Sequence, residues 1–220
     1  MSVIQTLLDY VLHLDAHLST LVQWAGPWTY VVLALVIFCE TWLVVTPILP
    51  GDSLLFAVGA LAAATGSLNI WVLLVLLIVC AIAGDAVNYW LGTIFGSRAA
   101  AGKLPLVKQS HIELTQGFFE RHGGKTIFLA RFVPIVRTFA PFVAGAGSMS
   151  YQRFASYNVV GGVVWVSLML MAGYFFGNLE VVRKNFSLVI VGIIILSVIP
   201  GVVAILQERA AIKARRAGSR

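Results

Sequence analysis

Four charged side chains stand in stretches that are otherwise apolar: Glu40, Asp52, Arg131 and Arg137. The segment FCETWLVVTPILPGDSLL (38–55) carries the two acids, and FLARFVPIVRTFAPFVA (128–144) carries the two arginines. An arginine fork is charged at any working pH and matches phosphate or carboxylate oxygens two at a time. Acids in apolar surroundings are well placed to take up and release protons. The combination points to a phosphate site made by Arg131 and Arg137, with Glu40 and Asp52 coupling protons to it. Such a site is near neutral when empty. An arriving phosphate competes with the acids for the arginines, and protonation of an acid frees them.

The segments that must position these groups are broken ones. Pro47, Pro50 and Gly51 interrupt the first, and Pro134 and Pro141 the second, where a continuous helix would be strained. Glu40 lies about 15 Å beyond Tyr30 along a helix, close to the middle of a bilayer core of about 30 Å. The return arm, Ser53 to Ala64, reaches only about 18 Å. Broken backbone at that depth belongs inside protein or beside a cavity. Both stretches are therefore expected to be re-entrant hairpins whose breaks meet to form the working site. Asp52 has a second, compatible reading as the cap of its return helix. Buried salt bridges joining the hairpins are the purely structural alternative.

Composition sets the solvent. The chain has 220 residues, of which 60% are hydrophobic and 11% charged, where soluble domains average about 25% charged. This is a single membrane domain. No Lys or Arg precedes Arg98, so the N-terminus does not read as a secretory signal. Basic residues gather between Arg98 and Lys125 and again from Arg209 to Arg220, which places both regions, including the C-terminal tail, in the cytoplasm. A nucleic-acid partner is not expected. Cys39 and Cys80 lie in apolar runs and read as packing thiols.

In order, residues 2–25 form an interfacial helix. Within it Asp9, His13 and His17 share a face too sparse for a metal site. A re-entrant hairpin follows at 28–65 and a spanning helix at 70–92, which carries Asp85, Asn88 and Tyr89 near its cytoplasmic end. Asp85 and Tyr89 are secondary site candidates. An amphipathic surface helix over 105–120 comes next, closed by Gly123-Gly124. A second hairpin at 126–148, spanning helices at 155–177 and 187–206, and a basic tail at 207–220 complete the chain. The halves 1–92 and 105–177 share this order. Pro47-Ile48-Leu49-Pro50 resembles Pro134-Ile135-Val136-Arg137, and Gly66-Ser67 resembles Gly147-Ser148. Tyr89-x-x-Gly92 resembles Tyr174-x-x-Gly177. The fold expected is an all-α polytopic membrane protein with an inverted-topology repeat: two re-entrant hairpins, about three spanning helices and interfacial amphipathic helices.

Enzyme chemistry is not expected. The histidines lie outside the breaks, and no P-loop, zinc motif or GxSxG is present. No cofactor or metal is implied.

Taken together, Glu40, Pro47-x-x-Pro50-Gly51-Asp52, Gly84-Asp85-x-x-x-Tyr89-x-x-Gly92, Arg131-Phe132-x-Pro134-x-x-Arg137 and Ala144-Gly145-x-x-x-Met149-x-x-x-x-Phe154 resemble the DedA family of bacterial inner-membrane proteins. The resemblance covers about residues 25–205 and departs at Thr93, where many members carry Arg. It implies movement of undecaprenyl phosphate or phospholipid head groups between leaflets, dependence on proton-motive force and a part in envelope homeostasis. It makes Glu40, Asp52, Arg131 and Arg137 the essential charges. H+ or Na+ is the expected coupling ion, and a small cation/proton antiporter or a phospholipid scramblase is the rival reading.

Overall fold

A computed structural model describes residues 24–42, 51–100, 109–147 and 149–177, with a few isolated positions besides. The expected N-terminal helix, Pro47 and Pro50, the last spanning helix and the basic tail lie outside the described residues. Every regular element among those described is helical: α1 (Trp28–Trp42), α2 (Gly51–Thr65), α3 (Ile70–Ala100), α4 (Gln109–His122), α5 (Thr126–Ala130), α6 (Pro134–Ala146) and α7 (Tyr151–Phe176).

Helices α1 and α2 are 15 residues each, about 22 Å, short of a bilayer core of about 30 Å. They run antiparallel. Near one end of the pair the Tyr30 hydroxyl accepts a bond from the Asn69 amide at 2.7 Å. At the other, the Glu40 carboxylate lies against Gly51. Gly66 ends α2 at a φ of 63°, the left-handed geometry glycine supplies at helix ends. Asn69 then starts α3, its Oδ1 accepting the Trp71 and Val72 amides.

Helices α3 and α7 are long and apolar enough to cross a membrane. Both exceed the sequence expectation: α3 continues past Gly92 to Ala100, and α7 begins at Tyr151 rather than Ala155. Gly92 does not stop α3 because it is a packing contact. The exposed apolar side chains of α3, such as Trp71, Val75, Val79 and Trp90, suit a lipid-facing surface.

The second broken segment differs from expectation. Its break falls at Arg131–Val133, and both prolines belong to α6. Pro134 is the first helical residue, where a missing N–H is harmless. It forces the residue before it out of helical geometry, and Val133 is extended at φ −125°, ψ 101°. Pro141 sits inside α6. Gly123 closes α4 at a φ of 57°, as the Gly-Gly pair suggests.

The described residues form two compact units. The first takes α1 to Glu40, α2, α3 to Gly84 and α7 from Gly162. The second takes Thr41, α3 from Asp85, α4 to α6 and α7 to Gly161. Each unit thus draws helix halves from both sequence repeats, and each is clamped by the same glycine contacts. In the first unit, a Cβ on Gly173 would fall on the Phe56 carbonyl, and one on Gly59 on the Leu170 carbonyl and Tyr174 amide. In the second, a Cβ on Gly92 would fall on the Phe142 carbonyl, and one on Gly145 on the Tyr89 carbonyl and Thr93 amide. Gly177 faces Ala60 as Gly96 faces Ala146. One constant shift relates α2 to α6, and another relates α3 to α7. This register corrects the letter match: Gly92 pairs with Gly173, not with Gly177 one helical turn further on. Tyrosines happen to precede both motifs, whereas the contacts single out the places where no side chain fits.

Candidate functional site

Arg131 lies in the turn that Pro134 creates and is 5% exposed. The turn is tight, with Arg131, Phe132 and Val133 amides bonded to the carbonyls three residues back. The guanidinium reaches two side chains. Its Nη2 donates to Asp85 Oδ2 at 2.5 Å and to Asn158 Oδ1 at 2.6 Å. Asp85 and Asn158 are 6% and 1% exposed. The arginine stem passes over Gly161, where a Cβ would lie 3.0 Å from its Cδ and Nε. Arg137 is close enough for its charge to act on both Asp85 and Arg131. Arg131 and Asp85 thus form an ion pair on which a second arginine charge acts.

Asp85, Asn88 and Tyr89 form one stripe of α3, as i, i+3, i+4 spacing requires. Buried Asn88 donates from Nδ2 to the Thr138 carbonyl at 2.9 Å and the Thr41 carbonyl at 3.4 Å. Tyr89 stacks on Phe154 at 4.5 Å and donates to the Met149 carbonyl at 2.7 Å. It holds the α6–α7 connection.

The acids come together in the first unit. Glu40 is 7% exposed, and its carboxylate occupies the space a side chain at Gly51 would need. Glu40 therefore reaches the N-terminus of α2, where the helix dipole favours negative charge. Half-buried Asp52, in the first turn of α2, accepts a 2.6 Å bond from Trp165 Nε1. So Glu40, Gly51 and Asp52 gather within the first unit, and Arg131, Asp85 and the charge of Arg137 within the second. Among the described residues no three His, Cys, Asp or Glu side chains gather as a metal site would need.

The VTT domain matches residues 49–175. Protein DedA of Escherichia coli K12 is 53% identical over 98% of this chain and 100% of its own. The chain belongs to the DedA family. An uncharacterized membrane protein of Mycobacterium leprae is 39% identical over 82% of this chain and 84% of its own. The inner membrane protein YqjA of E. coli is 33% identical over 70% of each chain. No solved structure matches. The long apolar helices α3 and α7 and this membership make the protein a membrane protein of the DedA family.

Within that frame, two partners had no motif to announce them. Asn158 and Trp165 lie seven residues apart on one face of α7. A lone amide and an indole in an apolar span were the available signal. The sequence supplied Asp85 only as a secondary candidate, although it is the carboxylate bonded to Arg131.

Proposed function

We propose that the protein moves a phosphate-bearing lipid, undecaprenyl phosphate foremost, between the leaflets of the bacterial inner membrane. Arg131 and Arg137 take the phosphate, and Glu40 and Asp52 couple its movement to protons. The observation that carries this reading is the guanidinium of Arg131, buried among apolar helices and reinforced by a second arginine charge. Charges buried among apolar helices are costly, pair with one another as Arg131 does with Asp85, and mark substrate or ion pathways. The isoprenoid tail stays in lipid, so the protein needs to recognise only the head group. Helices α1 and α2, each too short to cross a bilayer core, support a re-entrant reading, as in transporters with discontinuous helices. No step of this process makes or breaks a covalent bond.

The acids of the first unit favour one rival. Glu40 and Asp52 converge on the start of α2, which would also suit a small cation/proton antiporter. Reconstitution into liposomes separates the two. Lipid translocation is read by leaflet-selective labelling of undecaprenyl phosphate and of phospholipid, and ion exchange by a pH-sensitive dye. Gradient-driven movement of the phosphate lipid supports the proposal. Cation exchange without lipid movement replaces it with the antiporter, and equilibration of ordinary phospholipid without a gradient replaces it with a scramblase.

A further inference from the structure

We propose that Asp85 is a built-in counter-ligand, which occupies the anion site of Arg131 when no phosphate is there and is displaced when one binds. This rests on the reading of Arg131 as a phosphate ligand. The geometry supports it in three ways. First, the same nitrogen, Nη2, serves Asp85 Oδ2 and Asn158 Oδ1, so the carboxylate already sits where a phosphate oxygen would bond. Second, the site is closed: Arg131, Asp85 and Asn158 are all at most 6% exposed. Water cannot screen two anions placed side by side there, so phosphate and the Asp85 carboxylate repel and exclude one another. Third, the guanidinium is held without Asp85. Its stem lies against Gly161, and Asn158 is a neutral acceptor that keeps Nη2 in place while the anions exchange.

Asp85 would then do two things. It keeps the buried arginine charge balanced between substrates, and it competes for the arginine when the lipid must leave. A carrier with no such competitor binds its anion tightly and releases it slowly. The internal carboxylate sets the affinity at a level that permits turnover.

The test uses the full-length protein in lipid nanodiscs. The probes are inorganic phosphate, farnesyl phosphate as a short isoprenyl phosphate, and farnesol as the uncharged control. Asp85→Asn keeps the shape of the side chain and an oxygen for Arg131 but removes the charge. It should tighten farnesyl phosphate binding about tenfold or more and slow its dissociation, with farnesol unaffected. Inorganic phosphate tightening equally would show that the head group alone is recognised, and tightening confined to the ester would show a lipid-specific site. Either supports the counter-ligand. Asn158→Asp places a second carboxylate on the same nitrogen and should weaken binding about tenfold or more. It decides the matter alone if Asp85→Asn does not fold. Unchanged or weaker binding in Asp85→Asn, or unchanged binding in Asn158→Asp, overturns the inference if Arg131→Lys still abolishes binding. Wild-type affinity in Arg131→Lys overturns the phosphate reading and this inference with it.

Discussion

Trp165 donates its indole N–H to the Asp52 carboxylate at 2.6 Å, although 113 residues of chain separate them. Trp165 is fully buried. The bond therefore fixes the acid against α7 rather than leaving it as a simple cap of α2. Asp52→Asn retains an oxygen for the indole, so the protein should fold with near wild-type thermal stability while gradient-driven transport is lost. Asp52→Leu strands the buried N–H and should destabilise by about 1–3 kcal/mol. Thermal unfolding and liposome transport on the same preparations check both halves. An unstable Asn variant would make the carboxylate structural.

The contact of Glu40 with Gly51 gives a test that leaves the acid itself untouched. A methyl at Gly51 must displace the Glu40 carboxylate. Gly51→Ala should therefore reproduce the transport defect of Glu40→Gln while the hairpin still forms. Full transport in Gly51→Ala would show that the position of this carboxylate is unimportant.

Lysine at the arginine positions keeps the charge and discards the fork. Arg131→Lys and Arg137→Lys should each insert normally and lose most phosphate-lipid movement. The Arg131 variant should also be the less stable, because one ammonium cannot reproduce the guanidinium geometry between Asp85 and Asn158. Near-full movement in both variants would count against bidentate phosphate binding.

The glycine clamps predict a matched pair of defects. Alanine favours a helix over glycine by about 1 kcal/mol, which argues for stabilisation. But the added methyl at Gly92 or Gly173 meets a backbone carbonyl, which cannot rotate away. Overpacking of this kind costs about 1–3 kcal/mol, so both Gly92→Ala and Gly173→Ala should destabilise, and by similar amounts. Ser97→Ala, on an exposed face of the same helix as Gly92, should do little. A stability gain at either glycine would contradict the close approach.

Single cysteines at 65–69 and 98–125 should react with impermeant reagents from opposite sides of the membrane. Labelling from one side would rule out the proposed topology.

Much of this was legible in the chain because intramembrane charge and helix breakers stand out against apolar sequence. Glu40, Asp52, Arg131 and Arg137 stand out that way as candidates, and the Gly66 and Gly123 helix ends are where the glycines mark them. The partners were not. Charge marks a residue but does not say which opposite charge it meets, and the acid on Arg131 comes from α3 rather than from the first hairpin. Pro141 misled for a different reason: a proline within a helix removes one bond and bends it, yet packing on both sides can hold the helix together. The repeat register also escaped, since it is written in missing side chains.

The first unit needs α7 from Gly162 onward. During synthesis at roughly 5–20 residues per second, α2 therefore emerges about 6–23 s before Trp165 and Gly173 exist to meet it. Through that interval Asp52 and the bare backbone around Gly59 lack the α7 partners they meet in the folded protein. Within the first unit, the helices made first wait for the one made last.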